Sequence, residues 1–153
     1  FRYPTTETRL MLWTLEVTAR FLASPQFDRD TVIVDCDQLF YKPVWKWFAK
    51  GVDLTVLVRP TAKHLQIGGN PLLNGVMWLN VRAQDRLVAF FQQALALAKT
   101  LPEDIIVWGA DTAAERLLLD PIEVGRGERT GLAVQMLHAD DVIETFSAQQ
   151  TMS

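Results

Sequence analysis

Apolar residues recur along this chain with two periods, one helical and one extended. Between residues 6 and 23, Leu10, Trp13, Val17 and Phe21 return at spacings of three and four. That spacing predicts a helix with this stripe against the core, ended by Ser24-Pro25. Thr31-Val32-Ile33-Val34 then gives four strand-forming residues, and the run stops abruptly at Asp35-Cys36-Asp37. Leu54, Val56 and Val58 alternate with Thr55 and Leu57 and predict a strand over residues 53–59, and residues 74–80 predict another. A long helix is expected over residues 82–99, capped by Asn80 and burying Val88, Phe91, Leu95 and Ala98. Ile105-Ile106-Val107-Trp108 reads as a short apolar strand. Thr112 and Glu115 form a capping box for a helix that Asp120-Pro121 breaks. Ile122-Glu123-Val124 and residues 132–137 read as strands on either side of a solvated, charged hairpin loop, residues 125–131, with His138 closing the last strand.

The alternation of helix and strand predicts an α/β domain over residues 1–146, with a mostly parallel or mixed central sheet flanked by helices and a polar tail, residues 147–153. The strand ending at Asp35 is expected to be a buried parallel one. Helix, short loop and strand in that order make half of a βαβ unit whose first strand is missing, and the chain opens on Phe1, so the expectation is a piece of a longer protein. Val44 to Lys50 fits two turns of helix whose Trp45, Trp47 and Phe48 pack on the sheet or, alternatively, stack on a sugar or base. Residues 60–73 are turn-rich and fit a flap or a connector.

Composition narrows the function classes. A chain of 153 residues with net charge −3 and no cluster of Lys or Arg fits one domain and points away from nucleic acid. The single cysteine, Cys36, rules out an internal disulfide framework and suits a reducing compartment. With no apolar run long enough to span a bilayer, the expected location is cytoplasmic.

The candidate chemistry gathers at strand ends. Side chains at i and i+2 of an extended chain share a side, roughly 6–7 Å apart at Cα, so Asp35 and Asp37 can face one ligand. Paired carboxylates are hard oxygen donors for a divalent cation that keeps positions open for phosphate. In open α/β sheets the ligand crevice lies beyond the carboxyl ends of the strands, where these acids are expected. The plain alternative is that they cap a following turn. With Thr112 as N-cap, Asp111 is expected just outside its helix with its carboxylate available, and Gly75 lets a ligand or another backbone come close.

Three blocks stand in one order: the apolar strand ending in Asp35-x-Asp37 with Leu39-Phe40 and Pro43 behind it, then Asn74-Gly75-Val76-Met77 with Asn80, then Trp108-Gly109-Ala110-Asp111. Together they resemble nucleotide-sugar-dependent glycosyltransferases of the GT-A type, particularly the glycogenin and lipopolysaccharide-galactosyltransferase-like group, over roughly residues 9–119. The resemblance implies a Mn²⁺ or Mg²⁺ held by Asp37 directly, with Asp35 on the metal or the ribose, against the diphosphate of a UDP- or GDP-sugar. It implies that Asn74 and Gly75 lie beside the donor sugar. Asp111 would lie near donor and acceptor, as a base for inverting transfer or a positioning carboxylate for retaining transfer. His138 matches the third metal ligand, although no Gly-x-Lys follows it, and Thr112 stands where the group carries glutamine. The N-terminal half that holds the base in that group has no counterpart here. The acceptor class is carbohydrate, lipid-linked or protein.

Two other readings stay open. An apolar strand ending in D-x-D is also the nucleophile motif of haloacid-dehalogenase-like phosphohydrolases, for which Thr61 and Asp140-Asp141 are the available later positions; Gln38-Leu39 fits that pattern poorly. The other is a non-catalytic module on the same scaffold, whose open apolar surface is covered by a partner or a second copy as a homo-oligomer.

Overall fold

A computed structural model describes residues 6–35, 38–40, 42–59, 71–102 and 110–145. Helix α1 (Thr6–Leu22) leads into strand β1 (Thr31–Val34), and β2 (Gln38–Phe40) precedes a 3-10 turn at Val44–Trp47. Strands β3 (Leu54–Val58) and β4 (Leu72–Leu79) are followed by helix α2 (Gln84–Ala98) and helix α3 (Ala110–Leu119). Strands β5 (Gly125–Arg129), β6 (Leu132–His138) and β7 (Ile143–Thr145) complete the described chain. Five strands form one mixed sheet in the order β1-β4-β3-β6-β5, and β2 and β7 form a separate antiparallel ribbon.

The sheet is covered on both faces, which explains why all five residues of β3 are buried. Leu54, Val56 and Val58 point to the three helices, against Leu12, Leu15 and Leu22 of α1 and Phe90 and Phe91 of α2. Leu57 points the other way, with Val76 and Trp78, into a smaller cluster closed by Val142 and Ile143 next to the ribbon. Asn80 accepts from the Arg82 amide at 3.0 Å and caps not α2 itself, as its sequence position predicts, but a 3-10 turn, Val81–Ala83, that leads into it; α2 starts behind Ala83, which makes no side-chain cap.

Several expectations are corrected. The strand that ends at Asp35 is neither buried nor paired in parallel. Strand β1 is half-exposed, lies at the sheet margin among the described residues, and pairs antiparallel with β4. The chain returns as β4 between β1 and β3, so among the described strands only β3 and β6 are parallel neighbours. Helix α1 buries Leu12, Leu15, Ala19 and Leu22, while Leu10 and Trp13 are 54% and 56% exposed. Two stripes of helical period overlap in this segment. The one with the smaller side chains faces inward, where Ala19 permits close packing. In α2 the buried face is Leu87, Phe90, Phe91, Ala94 and Ala98, with Val88 and Leu95 at its margin.

Near the C-terminus, residues 125–129 are strand β5 itself rather than a loop, and the turn is only Thr130-Gly131. Both turn residues have positive φ, 49° and 77°, as a two-residue hairpin connection requires. Helix α3 begins at Ala110, so Thr112 is inside it and Asp111 is in its first turn, not outside it. Trp47 and Phe48 pack against the smaller apolar cluster on the sheet as expected, but from a single 3-10 turn, Val44–Trp47, rather than a two-turn helix, and Trp45 is exposed. The expected strand at residues 105–108, the flap within residues 60–70, Thr61 and the tail lie outside the described residues.

Candidate functional site

Strand direction sets the site. Because β4 runs opposite to both β1 and β3, and β6 runs with β3, the strands β1, β3 and β6 all point the same way. Their carboxyl ends carry Asp35, Arg59 and His138 in turn. This is the sheet edge at which open α/β proteins bind ligands.

Asp35 and Gly75 are brought together there. The Asp35 amide donates to the Gly75 carbonyl at 2.7 Å, extending the β1–β4 ladder one residue past the strand. The Asp35 carboxylate then folds over the Gly75 Cα. A Cβ at Gly75 would collide with Asp35 Oδ2 and lie 3.0 Å from its Cγ. On its other side β4 is irregular. Its pairing with β3 jumps from Val56–Met77 to Leu57–Leu73, which leaves residues 74–76 as a bulge. Bulges of this kind re-aim side chains beside functional sites. Asn74 lies in the bulge, while its side chain, that of Asp111, and all of Asp37 lie outside what is described.

The Gly75 contact yields a prediction that separates fold from site. The group in the way of a Cβ is the end of an exposed, movable side chain, so Gly75→Ala is expected to fold with an almost unchanged melting temperature. It displaces the Asp35 carboxylate, and metal-dependent ligand binding is expected to weaken about 10- to 100-fold. Unchanged affinity in a calorimetric titration would remove the Asp35–Gly75 pair from the site.

Arg59 belongs to this end of the sheet and is not among the site residues that the sequence predicts. Its amide donates to Pro71 O at 2.7 Å and its Nη1 to Leu72 O at 2.8 Å, so the guanidinium is tied to the start of β4. Burial holds its pKa below the ordinary arginine value, yet the group stays cationic at any working pH. The signal is in the sequence: a charge directly after an apolar, strand-forming run is the pattern that singles out Asp35.

His138 is not brought to Asp35. It is exposed, opposite Val58, on a strand separated from β1 by β4 and β3. Three strand spacings put about 14 Å of sheet between the two backbones. Among the described residues no three His, Cys, Asp or Glu side chains gather as metal ligands.

Compared with known proteins, the chain matches no family model, no curated protein and no solved structure. No helix among the described residues is long and apolar enough to cross a membrane.

Proposed function

We propose that this chain carries the donor site of a metal-dependent glycosyltransferase, moving a sugar from a nucleotide diphosphate to an acceptor. The observation that supports it is the Asp35 carboxylate folded over Gly75 at the shared carboxyl ends of β1, β3 and β6. A glycine whose missing Cβ makes room for a carboxylate is a cradle that a larger residue would destroy. The donor chemistry fits a hard cation: Asp35 supplies one carboxylate, and Asp37, two residues on, is the proposed second. Arg59 is the group suited to a phosphate oxygen, since guanidinium pairs with phosphate in a directed geometry. The Asp35 and Asp37 carboxylates would hold a Mn²⁺ or Mg²⁺, which would supply positive charge against the diphosphate leaving group. Asn74 and Gly75 border the sugar, and Asp111 is the proposed base or positioning carboxylate. His138 is left out of the donor set because of its distance across the sheet.

Thermal-shift titration with UDP- and GDP-sugars, with and without Mn²⁺, tests this. Ligand at about 100 times its Kd stabilises by about 2.7 kcal/mol, so the expected rise is roughly 5–10 °C, and only with metal and nucleotide together. Asp37→Asn is expected to abolish the rise with the fold intact. No rise with any pair would reject the reading, and hydrolysis of a simple phosphate ester without a nucleotide would favour the phosphohydrolase.

A further inference from the structure

We infer that the edge of β5 left unpaired among the described residues is a self-pairing surface, at which two copies of this chain join their sheets antiparallel about Gly127. Among the described residues β5 is the last strand of the sheet, and its sequence is Gly125-Arg126-Gly127-Glu128-Arg129. The hairpin fixes which backbone groups face outward. A two-residue turn makes its flanking residues, Arg129 and Leu132, a hydrogen-bonded pair, and such pairs alternate along an antiparallel ladder. Gly127–Val134 and Gly125–Met136 are therefore hydrogen-bonded too. The amides and carbonyls of Arg126 and Glu128 point away from β6, toward the open edge.

A second β5 can use those groups only in registers that set outward residues opposite outward residues. There are three of these. Centring the two-fold on residue 126 places Arg126 against Arg126, and centring it on residue 128 places Glu128 against Glu128. Centring it on Gly127 places Arg126 of each copy against Glu128 of the other, twice, with both residues in hydrogen-bonded pairs. Directly opposed side chains in such a pair interact, attractively for opposite charge and repulsively for like charge. Only the Gly127 register satisfies charge and backbone together.

The local structure accommodates this arrangement. Arg126 Nε donates to Gln135 Oε1 at 3.0 Å, which holds that side chain on the Glu128 face of the sheet. The Glu128 carbonyl accepts from Arg129 Nη1 at 2.9 Å and has a second lone pair for the amide of the other copy. At the two-fold glycine meets glycine, and the Arg129 guanidinium, which bonds the Glu128 and Pro121 carbonyls and lies over Gly127, where an added Cβ would meet its Nη1 at 2.6 Å, must shift aside as the two copies join. The contact is small and belongs to the weak class of interfaces.

Analytical ultracentrifugation of the full chain from about 5 to 500 μM spans the affinities of such a contact. The expected result is a concentration-dependent monomer–dimer equilibrium. By symmetry each single substitution acts twice, so Arg126→Glu and Glu128→Arg are each expected to weaken the dimer at least about tenfold. The double swap R126E/E128R restores it to within a few-fold. Because Arg126→Glu also removes the Gln135 contact, wild-type amide exchange gives a check independent of any variant. The Arg126 and Glu128 amides slow as concentration rises, while the Gly127 amide, already bonded to β6, does not. A monomer across the whole range, a dimer indifferent to the single reversals, or a double swap without recovery each overturns the inference.

Discussion

Trp78→Ala is expected to cost about 3–5 kcal/mol, a large share of the roughly 5–15 kcal/mol that holds a domain of this kind together. The indole is 1% exposed and sits at the centre of the smaller apolar layer, with Leu57, Val76 and Ile143 around it. Its Nε1 donates to the Val44 carbonyl at 2.8 Å, and Phe40 meets it edge-on at a centroid distance of 6.0 Å. One side chain thus ties the sheet to β2 and to the 3-10 turn. Truncation leaves a cavity that a β-sheet cannot collapse to fill, and it strands the Val44 carbonyl. Trp78→Phe keeps most of the volume and is expected to cost about 1–2 kcal/mol, mainly for the lost hydrogen bond. Urea unfolding at neutral pH checks both values. A loss below about 1 kcal/mol for alanine would show that the ribbon is not anchored there. Strand β2 begins at Gln38, directly after Asp37 in the sequence, so the same anchor fixes the strand that follows the second acid.

Asp53→Ala is expected to cost about 2–3 kcal/mol, through a charge that sequence reading placed only at the start of a strand. Asp53 is 9% exposed. Its carboxylate takes a bidentate pair from Arg86, at 2.7 Å to Nη2 and 3.0 Å to Nε, and accepts the Ala133 amide at 3.0 Å. Its own amide donates to Ala133 O, and its carbonyl accepts from the Asn80 amide. One residue therefore joins the starts of β3 and β6, the end of β4 and the first turns of α2. The Arg86 side chain is 54% exposed, so water screens much of the ion pair, and most of the cost comes from the unsatisfied Ala133 amide.

The pH dependence has a definite sign. The hydrogen bond from Arg86, more than any other contact, lowers the pKa of Asp53 from its ordinary carboxylate value. A group with a depressed folded-state pKa stabilises fully above its unfolded value, near 4, and loses that contribution as pH falls through the folded value. The stability gap between wild type and Asp53→Asn is thus expected to be constant from pH 7 to about pH 5 and to close below about pH 4. A gap unchanged at pH 3 would mean that the carboxylate charge contributes nothing.

What the sequence made legible follows from how local each signal is. The β3 run, the α2 helix and the break at Asp120-Pro121 are encoded in adjacent residues and are readable there, while the Asn80 cap belongs to the 3-10 turn before α2 rather than to the helix. The antiparallel return of β4 was not, because the Asn74-Gly75-Val76 segment carries no mark of which strand it pairs with or in which direction. Two equally periodic stripes in α1 could be ranked only by what they pack against. The glycines of β5 signal a loop by propensity, yet an edge strand tolerates them because one side of it is open. At the site, Asp35 and Gly75 could each be named, but their contact depends on a register set by residues about 40 positions apart.

The parallel partnership at the middle of the sheet has a consequence for how the molecule is made. Leu54 of β3 lies beside Val134 of β6, and Asp53 is bonded across 80 residues of chain to Ala133. During synthesis β3 can be flanked only by β4 until nearly the entire described chain has left the ribosome. The innermost strand is then the last to gain its second neighbour, and loop closure over that span sets the pace of folding. Until it closes, the apolar flank of β3 is a target for chaperones, and for other nascent copies of the same chain.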